Sequence, residues 1–249
     1  MQEIRLKWPY PCFGFMDFIR GVMSASQLFL DTDIKITPTM HPAHGLAKVF
    51  DWSNTHLYDE HTDLWYDIPS SVEKEITYVV YGGMPDLKAV SSFRWLLTPK
   101  RDYITQILPK LSSIVQEDYD VVHVRTEKFT GDNFPETNLI KHVNMVRAVS
   151  EKNTRPTVLV SDNTDIKAAC SHLLQSEIVP KHSGFEQFND NAILGWLVDL
   201  MLICQAKEVT SICDFAHGST GFAMIPCAVF GIPWRNINTD KQTTQSLFA

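Results

Sequence analysis

The most informative segment of this chain is Tyr119-Asp120-Val121-Val122-His123-Val124-Arg125-Thr126-Glu127-Lys128. Its β-branched residues predict a short strand that ends in a histidine and an arginine. In open α/β folds, ligands bind at the carboxyl edge of the sheet, where such polar strand ends lie. An arginine at that edge can hold a phosphate group with two donors at once. His123 and Arg125 are therefore candidate ligand-binding residues. The alternative is a strand that simply ends in polar side chains.

Strand-like and helix-like hydrophobic patterns alternate through the second half of the chain. The predicted strands cover residues 121–124, 157–160, 177–179 and 208–212, and the predicted helices cover 138–150, 191–205 and 220–229. Such alternation indicates a parallel sheet with helices on both faces. In the first half, a loop ending at Gly14 leads into a helical pattern and then a strand, the layout of a nucleotide-binding α/β unit. We predict two α/β domains, residues 1–115 and 116–249.

The rest of the first half is less regular. Residues 40–69 are rich in histidine, aspartate and aromatic side chains and have little periodicity, so we expect irregular surface or acceptor-facing loops there. A helix is expected over residues 94–111, with Pro99 near its start and Pro109 near its end.

Two further strand ends carry polar clusters: Ser161, Asp162 and Asn163 after one strand, and Asp214, His217, Ser219 and Thr220 after another. Parallel strands bring their carboxyl ends to one edge of the sheet, so these clusters should converge with His123 and Arg125. Each cluster could also be an ordinary helix cap. Ser219 and Thr220, with the free amides of a helix start behind them, would form a phosphate cradle.

An aspartate in the most apolar helix is the least expected residue of the chain. Asp199 is surrounded in sequence by leucine, valine, isoleucine, methionine and tryptophan. An ionised carboxylate in such a setting is costly unless it is paired or hydrogen-bonded. Asp199 either lies on a narrow solvent-exposed stripe or accepts hydrogen bonds from a ligand. The Watson–Crick edge of guanine offers a suitable pair of donors.

The composition argues against several classes of protein. A net charge of −7 disfavours non-specific nucleic-acid binding, which needs a basic face. The first residues lack an apolar core followed by a cleavage site, so we do not expect a secretory signal, and the most apolar segment, residues 192–206, is too short to span a bilayer. The five cysteines follow no disulfide or metal-ligand spacing, so we expect buried reduced thiols and no metal site.

Three segments together resemble the motif regions of the fucosyltransferase superfamily (α1,6-, α1,2- and protein O-fucosyltransferases), most closely the α1,6 type. They are residues 123–128, 158–163 and 191–206. Ser219-Thr220 falls where that family has a Ser-Ser pair, and Gly14-Phe15 resembles its amino-terminal glycine-rich loop. The resemblance covers most of residues 119–230 and is faint in the first half. It implies a GT-B-like α/β fold of two facing Rossmann-type domains with parallel sheets, the amino-terminal one small.

The resemblance also implies an activity and a set of site residues. Members of the family are inverting, metal-independent glycosyltransferases, so the implied donor is GDP-fucose and the implied acceptor is a glycan hydroxyl. Arg125 would bind the β-phosphate, and His123 and Asp199 would contact the base. The full donor site implied comprises Gly14, His123, Arg125, Asp162, Asp199, Ser219 and Thr220. No cofactor beyond the nucleotide sugar is implied.

The motif does not fix the general base. The family's arginine is often followed by a second arginine or by Gly-Asp, whereas Thr126 and Glu127 follow it here. Either Asp132 or Glu127 could take the proton. We favour Asp132, because a base must reach the acceptor hydroxyl from a loop beyond the phosphate-binding arginine. The catalytic candidates are therefore Asp132, Glu127 and Arg125.

Two other functions fit the same residues. A UDP-sugar such as UDP-xylose could replace GDP-fucose, although uracil offers one N–H donor to Asp199 where guanine offers several. A non-catalytic glycan- or nucleotide-binding module would keep the fold and lack the base. With no signal peptide or membrane segment indicated, we expect a cytoplasmic location, in a bacterium or in the host cell of a virus.

Overall fold

The computed structural model describes residues 2–8, 14–58, 64–65, 76–80, 85–126, 136–176, 190–213, 221–239 and 243–247. The chain divides into two units, one of Met1–Tyr103 with Gly184–Asp190 and one of Ile104–Ser183 with Asn191–Ala249. Each unit contains its own sheet of mainly parallel strands together with helices. The α/β class with parallel sheets is thereby confirmed.

The first unit is built on a parallel sheet with the strand order β2-β1-β4-β3. Its strands are β1 (Gln2–Lys7), β2 (Ile34–Thr39), β3 (Leu64–Trp65) and β4 (Ile76–Val80). Helix α1 (Phe15–Leu28) follows β1 in the chain, and β2 pairs with β1 in parallel. The sequence pattern did not reveal β1, although it did reveal α1 and β2.

Most of residues 44–53 are buried in the first unit, with Lys48 and Asp51 exposed, so the expectation of surface loops was wrong for this stretch. Three short 3₁₀-helices occupy the region: Gly45–Lys48, Asp51–Ser53 and Thr55–Leu57. Phe50 is fully buried and stacks on Phe15 and Trp52, with ring centroids 5.3 Å and 5.4 Å away. Short 3₁₀ turns bury aromatic rings without a 3.6-residue period, so periodicity gave no sign of this core.

The expected helix over residues 94–111 is two helices. A 3₁₀-helix covers Ser91–Leu97, and α2 covers Arg101–Ile114. Pro109 lies inside α2 rather than at its end. The expected strand at 177–179 lies outside the described residues, and the short strand β7 (Leu174–Gln175) precedes that position.

The second unit has a six-stranded sheet in the order β10-β9-β8-β5-β6-β7, parallel except for β10. Its strands are β5 (Asp120–Arg125), β6 (Thr157–Ser161), β7, β8 (Val209–Cys213), β9 (Trp234–Asn238) and β10 (Thr243–Leu247). Its helices are α3 (Glu136–Ser150), α4 (Thr164–Ala169), α5 (Asp190–Gln205) and α6 (Gly221–Phe230). Strands β5, β6 and β8 and helices α3, α5 and α6 agree closely with those expected for this half, whereas β9 and β10 were not expected.

The strand order makes β5 the topological switch point of this sheet. From β5 the chain continues to β6 on one side, and it later returns to β8 on the other side. The connections to the two sides of such a strand run in opposite directions, which leaves a crevice outside its carboxyl end. In β5 that end is Arg125.

Alternation along β5 assigns its side chains to two faces of the sheet. Val122 and Val124 pack into one core cluster with Val146 of α3 and Ile166 of α4. Val121, His123 and Arg125 therefore point to the opposite face. On that face the ring of His123 meets Phe222 of α6.

Four of the five cysteines lie among the described residues, and all four are buried free thiols, as expected. Cys170, Cys204, Cys213 and Cys227 are buried and form no disulfide, while Cys12 lies outside the described residues. Within the described ranges, no helix has the length and apolar character needed to cross a membrane.

The aromatic core of the first unit can be tested by a single substitution. Phe50→Ala should lower the free energy of unfolding by about 3–5 kcal/mol, because it leaves a cavity between stacked rings. Leu30→Ala is the matched control: Leu30 is 76% exposed, and its truncation should change stability by no more than about 0.5 kcal/mol. Urea denaturation measures both. Equal, small effects would contradict the buried position of residues 44–53.

Candidate functional site

An ion pair joins the carboxyl ends of β5 and β6. Arg125, the last residue of β5, donates from Nη1 to Oδ2 of Asp162, which directly follows β6. The side chains are 25% and 16% exposed. Asp162 Oδ1 is buried and has no hydrogen-bond partner within the part of the chain that the structure describes. The sequence prediction that these two strand ends converge is confirmed for this pair.

Burial and the neighbouring donors shift the pKa of Asp162 in opposite directions. Burial raises the pKa of the Asp162 carboxyl, because desolvation disfavours the ionised form. The Arg125 guanidinium opposes this rise, as do the backbone amides of Thr126 and Asp162 itself. The net pKa lies above the ordinary value of 3.8, so the pair is held in a poorly solvated place.

Helix capping does not explain Asp162, because its neighbour performs that task. Asn163 Oδ1 accepts hydrogen bonds from the backbone N–H groups of Asp165 and Ile166, at 2.9 Å and 3.1 Å, and so caps α4. Ser161 Oγ accepts from the Asn163 amide at 3.1 Å. Neither Ser161 nor Asp162 is the cap, so the Asp162 carboxylate remains available to Arg125.

His123 is a neutral histidine in an aromatic setting. Its side chain is buried, and its ring centroid lies 5.7 Å from that of Phe222, which in turn lies 5.7 Å from Trp196 of α5. Burial, followed by the nearby charge of Arg125, lowers the pKa of His123 to about 3. Its Nδ1 atom is buried and meets no hydrogen-bond partner among the described residues.

Asp199 lies in the interior, so the solvent-exposed stripe considered from the sequence is excluded. It is 5% exposed, on α5. Helix α5 runs along the His123 face: the Tyr119 hydroxyl donates to the Leu202 carbonyl at 3.0 Å, and Trp196 contacts Phe222. Asp199 is three positions from Trp196, so the two side chains are neighbours on the surface of α5.

The structure does not place the other predicted donor residues beside His123, Arg125 and Asp162. Gly14 belongs to the first unit, where it caps α1, and its carbonyl accepts from the amides of Asp17 and Phe18 at 3.0 Å and 3.2 Å. Its φ of −67° is one that any residue adopts. Ser219 and Thr220 lie outside the described residues, as do both candidate bases, Glu127 and Asp132.

The strand-end cluster (His123, Arg125 and Asp162) combines two environments on one face of the sheet. At the outer end, a guanidinium fixed by a carboxylate offers further N–H donors to an anion. Further in, a neutral imidazole lies among aromatic rings. The arrangement suits a ligand with an anionic group at one end and a planar, polar ring at the other. No three His, Cys, Asp or Glu side chains of the described ranges group as metal ligands would.

The chain resembles known proteins in its fold, although no sequence match is found. No protein-family model matches the chain, and no curated protein sequence matches it. Solved structures do match, and they include the fucosyltransferase NodZ from Bradyrhizobium. The structure of the α1,6-fucosyltransferase NodZ soaked with GDP-fucose matches with a TM-score of 0.63, over 99% of this chain and 98% of its own. It is 13% identical to this chain in sequence.

This chain has the fold of the fucosyltransferases. A mutant of Arabidopsis thaliana FUT1 in complex with GDP matches with a TM-score of 0.59 at 8% identity, over 98% of this chain and 72% of that one. POFUT1 in complex with GDP matches with a TM-score of 0.51 at 9% identity, over 92% and 94%. The GT-B-like fold class and the resemblance to the fucosyltransferase superfamily are confirmed at the level of the fold.

The buried His123 predicts a specific dependence of stability on pH. Its folded pKa of about 3 lies below the ordinary value of 6.5, so only the unfolded state takes up this proton as the pH falls between the two. Stability should therefore decrease by about 1.4 kcal/mol per pH unit on this account. His123→Gln should show a shallower slope from pH 6 to pH 4 in urea denaturation. Leu30→Ala, which removes no titratable group and lies at an exposed position, should keep the wild-type slope. Equal slopes for all three proteins would contradict the neutral, buried assignment.

Proposed function

We propose that this chain is a glycosyltransferase that transfers fucose from GDP-fucose to a hydroxyl group of a glycan. The observation that carries the proposal is the Arg125–Asp162 ion pair at the switch point of the second sheet. A fixed guanidinium at that position is suited to a diphosphate. The fold supports the same assignment, since its solved neighbours include fucosyltransferases with GDP or GDP-fucose.

The chemistry assigned to these residues is inversion at the anomeric carbon without a metal. The acceptor oxygen forms a bond to the sugar carbon while the bond from that carbon to the β-phosphate oxygen breaks. Arg125 stabilises the negative charge that develops on the leaving diphosphate, a role that preorganised donors perform well in a poorly solvated site. The acceptor proton passes to a carboxylate, for which Asp132 is preferred over Glu127.

We assign the nucleobase of the donor to the face of the second sheet that carries His123. His123 is buried there and meets Phe222, whose ring contacts Trp196 of α5, and Asp199 is buried on the same helix. A buried carboxylate that receives two N–H donors from guanine would be stabilised more than one that receives a single donor from uracil. Asp199 is therefore the residue on which the preference for GDP over UDP would depend.

Nucleotide titrations test the donor site directly. Isothermal calorimetry should show tighter binding of GDP than of UDP to the wild-type protein. Arg125→Ala should weaken the binding of both nucleotides by about 10- to 100-fold, because both share the diphosphate. Arg155→Ala is the matched control: Arg155 pairs with Asp120 at 2.8 Å at the opposite end of β5, and its loss should leave both affinities within about twofold.

Two results would count against this assignment. Tighter binding of UDP than of GDP would replace the fucose donor with a UDP-sugar such as UDP-xylose. Unchanged nucleotide affinity in the Arg125→Ala protein would remove the phosphate role from the strand-end cluster.

The proposed base is tested by turnover rather than by binding. Asp132→Ala should lower kcat for fucosyl transfer by about 100-fold or more and leave GDP affinity unchanged, since the base acts on the acceptor. Glu127→Ala should have a smaller effect. Asp118→Ala removes an exposed aspartate just before β5 and should retain the wild-type rate.

If the Asp132 and Glu127 variants both turn over normally, neither is the base. If the wild-type protein binds GDP without any transfer or hydrolysis of GDP-fucose, a non-catalytic binding module becomes the better reading.

A further inference from the structure

The two carboxylate oxygens of Asp162 lie in different surroundings. Oδ2 accepts a hydrogen bond from Nη1 of Arg125, whereas Oδ1 is buried and meets no donor among the described residues. A charged oxygen that is buried without a donor is unfavourable, because it has lost its hydration without a replacement. The ion pair therefore stabilises Oδ2, and Oδ1 is the atom of this carboxyl that most easily accommodates a proton.

Arg125 is the cation that favours the ionised form of Asp162. Among the described residues, its charge is the one that opposes the desolvation of the carboxyl. His123 shares the sheet face of Arg125, but its imidazole is neutral, since its pKa is about 3. Cys213 of β8 aligns with Arg125 in the sheet, and its thiol donates to Oδ1 of Asn236 at 3.3 Å. Neither His123 nor Cys213 brings a second positive charge to Asp162.

The charged residues of α4 and α5 do not replace Arg125 as the partner of Asp162 within the described part of the chain. In α4, Asp165 is exposed, and Nζ of Lys167 donates to the carbonyl and the hydroxyl of Ser176, at 2.8 Å and 3.0 Å. In α5, Asp199 is an acid and cannot offset a negative charge. The charge state of Asp162 therefore depends on the guanidinium of β5.

An oxyanion bound at the carboxyl end of β5 needs the same guanidinium. It would place a second negative group beside the Asp162 carboxylate, and a nearby like charge disfavours the ionised form of a carboxyl. Each phosphate of a nucleotide sugar carries a single, strongly acidic group that stays ionised at neutral and mildly acidic pH, so it does not take up a proton. The carboxyl of Asp162 can, and burial already raises its pKa above the ordinary value.

We infer that Asp162 takes up a proton on Oδ1 when an oxyanion binds to Arg125. Oδ2 remains the acceptor for the guanidinium, so the pair is kept while its negative charge is removed. The positive charge of Arg125 then acts on the oxyanion alone. The proton comes from solvent and returns to solvent when the oxyanion leaves. The inference rests on the proposed function for the identity of the oxyanion, the diphosphate of GDP-fucose, but not for the coupling itself.

This coupling gives oxyanion binding a definite dependence on pH. The bound state has the higher pKa at Asp162, so binding takes up a proton wherever the pH lies between the free and the bound values. Affinity therefore rises as the pH falls through this range, and it levels off below the pKa of the free protein.

Sulfate tests the coupling without a nucleotide, since it keeps its double negative charge at neutral and mildly acidic pH. NMR of the carboxyl carbons should show Asp162 titrating at a higher pH in sodium sulfate than in sodium chloride of equal ionic strength. The signal of Asp162 is the one missing from the spectrum of Asp162→Asn. Asp120 is the internal control: it is buried and pairs with Arg155 at the opposite end of β5, so its titration should be the same in both salts.

Calorimetry with GDP-fucose tests the consequence for the proposed donor. GDP is less suitable, because a terminal phosphate itself titrates near pH 6. Titrations at pH 6 in buffers of different ionisation enthalpy should show the uptake of about half a proton or more, and the Kd should be about five- to tenfold lower at pH 5.5 than at pH 7.5. Asp162→Asn should remove both effects. Asp120→Asn is the matched control and should keep both.

Either of two findings would overturn the inference. One is a titration of Asp162 that is the same in sulfate and in chloride. The other is proton uptake that persists in Asp162→Asn, and its loss in His123→Gln instead would assign the proton to His123. If the wild-type protein does not bind GDP-fucose, the proposed function fails, and the sulfate measurement still decides the coupling.

Discussion

Arg125 carries its charge at the end of a buried strand, and the carboxylate of Asp162 offsets the cost of placing it there. Removing one member of such a pair leaves an uncompensated charge in a poorly solvated place, which is strongly unfavourable. The arrangement depends on Asn163, which caps α4 and so leaves Asp162 available to Arg125. It also depends on the strand order, because β5 is the strand at which the connections of the second sheet change direction.

The alternation of β5 links this charged end to an apolar interior. His123 and Arg125 share a face, yet one is neutral among aromatic rings and the other is charged near the sheet edge. Desolvation keeps the imidazole uncharged, and the pairing with Asp162 keeps the guanidinium in place. A nucleoside diphosphate likewise has a charged diphosphate at one end and a planar nucleobase at the other. The proposal of a nucleotide-sugar donor follows from this correspondence, with the diphosphate at Arg125 and the nucleobase near His123.

The parts of the site that the sequence predicts are those where polar residues interrupt buried strands. The ends of β5 and β6 could be placed because hydrophobic runs stop there, and parallel strands must share an edge. The sequence does not single out Asn163, since Ser161, Asp162 and Asn163 are all good caps and only the observed hydrogen bonds distinguish them. Nor does it indicate the burial of Phe50 and its neighbours, because stacked rings on 3₁₀ turns have no helical or strand-like period. The burial of Asp199 could be argued from its apolar neighbours, but the contact of α5 with the His123 face, through Trp196 and Phe222, could not.

A structure of the protein with GDP bound tests the phosphate-binding role of Arg125. We expect the β-phosphate to lie within hydrogen-bond distance, about 3 Å, of the Arg125 guanidinium, with Asp162 still paired to it. We also expect the guanine to lie on the His123 side of the sheet. A diphosphate bound away from the carboxyl end of β5, with Arg125 contacting only Asp162, would contradict the proposed donor site.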